Sequence, residues 1–137
     1  MGISVLIVDD SAMIRSIVKR SIGLSGIPVE RIREAPNGAV ALGLVLEAPA
    51  QVDVIFTDIN MPEMNGVDFL QKLHEQGVLA RIPTVIISSE SQEMYGERLA
   101  AMGVRSFLSK PFHPDKVREV VTEALRQAGK SGAIDAG

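Results

Sequence analysis

Apolar residues fall along this chain in two alternating rhythms. Short continuous runs at Ile3–Val8, Val54–Thr57 and Pro83–Ser88 are rich in Val and Ile and carry no polar alternation. Runs of that kind mark strands buried on both faces of a parallel sheet. Two weaker strands are predicted over Val29–Ala35 and Arg105–Ser109, the second resting on Phe107 and Leu108. Between the runs the apolar spacing changes to that of a helix. Met13, Ile14, Ile17, Val18 and Ile22 stripe a first helix with Ser11 as its N-cap. Asn37 caps a second, which runs through Ala48 and stops at Pro49. Val67, Leu70 and Leu73 mark a third, closed by Gly77, and Glu90 to Met102 reads as a fourth with Gly103 as its stop. Val117, Val120, Val121, Ala124 and Leu125 stripe the fifth, starting after Pro114.

Five strands alternating with five helices predict a doubly wound α/β fold around a five-stranded parallel sheet with right-handed crossovers. Residues 1–128 form one domain on this reading, and 129–137, GKSGAIDAG, a frayed tail. A chain of 137 residues is long enough to bury a sizeable core. Its net charge of −3 argues against non-specific nucleic-acid or anionic-membrane binding. With no cysteine, disulfides and thiolate metal sites are excluded. The start MGISVLIVDD lacks the features of a secretory leader, and no stretch is apolar for long enough to span a membrane, so a cytoplasmic protein is expected.

In a doubly wound sheet, chemistry gathers beyond the carboxyl ends of the strands. The first strand ends in Asp9-Asp10, the third in Asp58, the fourth in Ser88-Ser89 and the fifth in Lys110-Pro111. If these strands are neighbours, three carboxylates, a hydroxyl or two and one ammonium share a small cleft. Three Asp side chains repel one another unless a cation sits among them, and as hard oxygen donors they suit Mg²⁺. An Asp can also attack a phosphoryl group, a reaction that needs positioning and charge neutralisation more than covalent help. Lys110 and Ser88 supply the remaining parts. Each residue alone has a plainer explanation: Asp-Asp-Ser as helix capping, Asp58 and Lys110-Pro111 as turns. Their joint occurrence at four strand ends is what points to a site.

The segments VLIVDDS, FTDINMPEMNG, the ISS step and SFLSKPF together resemble the receiver domain of two-component response regulators, over roughly residues 3 to 128. The single-domain length is most similar to the stand-alone chemotaxis, CheY-like type. The resemblance implies the strand order 2-1-3-4-5. It implies Asp58 as phosphoacceptor, Asp10 as a direct Mg²⁺ ligand, Asp9 acting through water, and Asn60 offering its backbone carbonyl. Ser88 becomes the switch hydroxyl, Lys110 the partner of a phosphoryl oxygen, Pro111 a cis proline, and Phe107 the switch aromatic. Gly66 lets the loop after Asp58 turn into the third helix. Asn60 and Glu90 flank the path of hydrolytic water and tune the phosphoryl lifetime, with dipole stabilisation of the fourth helix as the alternative for Glu90.

The implied partners are a CheA-like histidine kinase, a phosphatase, and a protein target on the surface of the fourth helix, fifth strand and fifth helix. The flagellar motor switch is one such target. No nucleic-acid or membrane partner is expected, and a monomer is. Where relatives that bind the motor carry lysines, this chain has Glu93, Val120 and Glu123, which disfavours an acidic target peptide. Tyr95, Phe112 and Val120 are candidate apolar anchors on that surface. His74 and His113 read as solvated surface. Two other functions stay open: a phosphate sink without an output partner, and an Mg²⁺-dependent Asp-nucleophile phosphohydrolase. The second is disfavoured because Asn60 stands where such enzymes place an acid–base Asp. A phosphoacceptor is expected, not a general enzyme.

Overall fold

The computed structural model describes residues 2–87 and 91–129 and, for 91–94, the backbone alone. The strands are β1 (Ile3–Val8), β2 (Val29–Ala35), β3 (Val54–Thr57), β4 (Thr84–Ile86) and β5 (Ser106–Phe107). They form one parallel sheet in the order β2-β1-β3-β4-β5. Successive residues of each central strand enter different cores. Ile3, Val5 and Ile7 of β1 join Val54 and Phe56 of β3 on one face, while Leu6, Val8 and Ile55 pack on the other. That is the physical content of the unalternating apolar runs: with both faces covered, apolar side chains are favoured at successive positions, and Thr57 at the end of β3 is buried with them. The edge strand β2 exposes Glu30, Arg31 and Glu34, and such charges discourage pairing with another sheet.

The helices are α1 (Ala12–Leu24), α2 (Gly38–Glu47), α3 (Gly66–Glu75), α4 (Ser91–Ala101) and α5 (Pro114–Gln127). Helices α1 and α5 cover the first core, and α2, α3 and the Leu99–Met102 end of the α4 segment cover the second. Local chemistry sets the helix starts. The Ser11 hydroxyl accepts from the Ile14 amide at 3.2 Å, and Asn37 accepts from Val40 at 2.9 Å. Asn65, which the apolar pattern does not reveal, caps α3 through the Asp68 amide at 2.9 Å. Pro114 opens α5, where a missing amide proton costs nothing. No described helix is long and apolar enough to cross a membrane.

Several expectations shift on this fold. The buried face of α1 is Val18, Ser21 and Ile22, with Ile14 half-buried, whereas Met13 and Ile17 point to solvent at 69% and 42% exposure. The apolar residues of α1 span more than one face, and the sheet can bury only one. Strand β5 is two residues long, although Leu108 still donates to the Ile86 carbonyl at 2.7 Å. Strand β4 ends at Ile86, and Ser88 lies outside the described residues, as does the tail beyond Gly129.

Candidate functional site

Strands β1 and β3 are hydrogen-bonded neighbours whose last register pair is Val8 with Thr57. The residues just beyond, Asp9 and Asp58, therefore emerge side by side. The Asp58 amide donates to the Val8 carbonyl at 2.9 Å, and the Asp9 amide to Ala35 at 3.1 Å, so the ladder continues up to the carboxylates themselves. Asp9, Asp10, Ser11, Ile14, Asp58, Asn60, Ile87 and Lys110 line a cleft of about 270 Å³. One oxygen from each of Asp9, Asp10 and Asp58 lies within 4.8 Å of the others. Asp9 is buried, Asp58 half-buried and Asp10 exposed, so the acidic cluster grades from the sheet end outwards.

Burial pushes the Asp9 carboxyl up to about 6; a hydrogen bond from the Ser11 amide opposes this, and the charges of Asp58 and Asp10 add to it. Asp58 is also raised, chiefly by burial, against hydrogen bonds from the Ile59 and Asn60 amides. Asp10 raises it further and Lys110 lowers it. Three carboxylates thus face one ammonium in a shared cleft. Excess negative charge, graded burial and an all-oxygen donor set fit a hard divalent cation such as Mg²⁺. The residues able to hold it are Asp9, Asp10, Asp58 and the Asn60 backbone.

Of the residues singled out in the sequence, Asp9, Asp10, Asp58, Asn60 and Lys110 meet in the cleft. Ser88 and Glu90 fall outside the described residues. Phe107 is half-buried on β5 against the α2/α3 core, and the Lys110–Pro111 peptide is cis. Gly66 has a steric reason: a Cβ there would stand 2.1 Å from the Asp58 carbonyl oxygen. The loop returns so closely that its amide also bonds the Ile59 carbonyl at 2.8 Å.

On the neighbouring surface, Tyr95 is half-buried against the same core as Phe107, and Val120 against the α1/α5 core. Phe112 is no surface anchor. It is buried between α1 and α5, because its carbonyl is tied to the Ser21 hydroxyl at 2.7 Å. The side chain of Glu93 is outside the described residues. His74 and His113 are exposed.

Ser11, Ile14 and Ile87 also line the cleft, and Arg15 donates to the Asp9 carbonyl at 2.7 Å. Sequence reasoning had assigned none of these to the site beyond Ser11 as a cap. A cation one helical turn after the cap was the available signal for Arg15, and it gains meaning only once β2 is known to lie beside β1.

The family model for the response regulator receiver domain matches residues 5–122. Chemotaxis protein CheY1 of Helicobacter pylori is 35% identical over 88% of this chain and 94% of its own. Two-component response regulator ORR5 of rice is 36% identical over 89% of this chain and 88% of its own. Among solved structures, chemotaxis response regulator CheY4 of Vibrio cholerae superposes with a TM-score of 0.75 at 30% identity, covering 91% of this chain and all of that one.

Proposed function

This chain belongs to the response regulator receiver domain family, and from that premise we propose that it is a switch driven by phosphorylation of Asp58. The observation that carries this reading is the meeting of three carboxylates and Lys110 in one cleft at the end of β1 and β3. An ionised Asp58 oxygen attacks the phosphorus of the donor, and the bond from phosphorus to the donor's leaving group breaks with its electron pair departing on that group. Lys110, in the same cleft, would pair with a phosphoryl oxygen, and its charge draws Asp58 toward the ionised form. Bound Mg²⁺ would supply positive charge beside the carboxylates and the incoming phosphoryl oxygens. Ser88 would hydrogen-bond the phosphoryl group, and Asn60 and Glu90 would set its lifetime.

The product carries more charge and more acceptor oxygens than aspartate, which biases the packing around the site. Phe107 is the residue through which that bias reaches the surface. It shares a groove of about 370 Å³ with Arg105, Ser106, Glu119, Val120, Glu123 and Gln127. This supports the β5-α5 part of the α4-β5-α5 face as the partner surface. Receivers act between a histidine kinase and a downstream target; here a chemotaxis role is our proposal, resting on the chemotaxis proteins among the relatives. Glu119 and Glu123 on the groove disfavour an acidic docking segment.

Intact mass after incubation with acetyl phosphate tests the reading. A single Mg²⁺-dependent phosphoryl adduct, absent from Asp58→Asn, is expected. Continuous turnover of unrelated phosphate esters would favour the hydrolase instead. Absence of both adduct and Asp58-dependent phosphate release would refute phosphoacceptor chemistry.

A further inference from the structure

The Asp9-Asp10 turn is held from outside the cleft by a residue that lines none of it. Arg15, one turn into α1, donates through Nη1 to the Asp9 backbone carbonyl at 2.7 Å and through Nε to Glu34 Oε1 of β2 at 3.1 Å. Register explains the second contact. Glu34 pairs with Ile7, so its side chain shares the sheet face on which α1 packs. The Arg15 side chain is only 17% exposed and Glu34 36%, which sets the pair apart from the ion pairs of Arg98, Lys116 and Arg126, all at least half exposed on the cation.

Asp9 is thereby held at its amide, its carbonyl and one carboxylate oxygen. Its amide donates to Ala35, its carboxylate accepts from the Ser11 amide at 2.8 Å, and its carbonyl accepts from Arg15. A guanidinium suits this task because its fork serves two acceptors at a fixed angle, which a lysine ammonium does not reproduce.

We propose that Arg15 and Glu34 form a positioning clamp, which locks the Asp9-Asp10 turn to β2 and so presets the carboxylates for a divalent cation. This deepens the receiver reading and rests on it. Charge and position make opposite demands here, which makes the clamp testable. Arg15 is a cation beside a cation site, so simple electrostatics predicts tighter Mg²⁺ binding when its charge is removed. A clamp predicts weaker binding, because the carboxylates lose their preset geometry; loss of such outer supports weakens metal affinity by about 10–100-fold.

The experiment is calorimetric titration of Mg²⁺ into metal-free protein, together with the Mg²⁺ dependence of Asp58 phosphorylation by acetyl phosphate. Arg15→Met, which keeps the apolar stem, should raise the Mg²⁺ dissociation constant about tenfold. The half-saturating Mg²⁺ concentration should rise by the same factor, while the rate at saturating Mg²⁺ stays within about twofold of wild type. Arg15→Lys should recover part of the loss. Glu34→Gln retains an oxygen for Nε and should stay near wild type, whereas Glu34→Ala should weaken Mg²⁺ binding, and less than additively with Arg15→Met.

Unchanged or tighter Mg²⁺ binding in Arg15→Met overturns the clamp, as does an equal loss in Glu34→Gln and Glu34→Ala. Should Arg15→Met fail to fold, the two Glu34 variants decide alone. A wild-type chain that binds no Mg²⁺ overturns the receiver reading itself, a result separate from failure of the variants.

Discussion

Asp9 should be a liability to the metal-free fold, and replacing it with Asn should stabilise the protein. The unfolded chain ionises Asp9 near 3.8, whereas the folded chain holds the proton up to about 6. Across that window the folded state binds more protons, so stability falls as pH rises. The stabilising contribution of the protonated form is full below 3.8 and lost above about 6. Two pKa units correspond to about 3 kcal/mol at about 1.4 kcal/mol each. Asn keeps an oxygen to accept the Ser11 amide bond while removing the charge.

In EDTA at pH 7.5, urea unfolding should therefore find Asp9→Asn more stable by about 2–3 kcal/mol, with a melting temperature about 5–10 °C higher. At pH 3.5 the difference should vanish, since both states of the wild type are then largely protonated at this position. Mg²⁺ should close most of that gap: at a hundred times its dissociation constant the wild type gains about 2.7 kcal/mol, and the variant much less. A pH-independent difference, or a variant less stable than wild type at pH 7.5 in EDTA, would refute burial and repulsion as the dominant forces on this group.

Three further substitutions probe the frame around the site. Gly66→Ala would force a Cβ against the Asp58 carbonyl oxygen, so urea unfolding should show a loss of about 3 kcal/mol and phosphorylation should slow as Asp58 shifts. Gly43→Ala, in α2 where an added Cβ meets only open space, should gain about 1 kcal/mol in the same assay. Ser21→Ala removes the buried hydroxyl that holds the Phe112 carbonyl, and should cost about 1–2 kcal/mol while leaving Mg²⁺ affinity unchanged.

Much of this fold was legible in the sequence because its signals are local or repetitive. Unalternating runs at Ile3–Val8 and Val54–Thr57 require burial on both faces whatever surrounds them, and Ser11, Asn37 and Pro114 act within a few residues of themselves. The acidic site was legible too, since Asp9, Asp10, Asp58 and Lys110 each follow the carboxyl end of a strand within three residues, and parallel strands share one carboxyl end. What the tertiary structure decided depends on which surfaces meet. Met13 and Ile17 satisfy a helical stripe, yet β1 and α5 press on the neighbouring face of α1, so those two stay exposed. Phe112 reads as a surface anchor until α1 closes over it. Gly66 has its reason in the carbonyl of Asp58, brought near only by the returning loop. Arg15 and Glu34 stand 19 residues apart on a helix and an edge strand. Their contact exists because β2 returns beside β1, and a pairing between distant segments is set by the packing of the whole sheet, which local spacing does not encode.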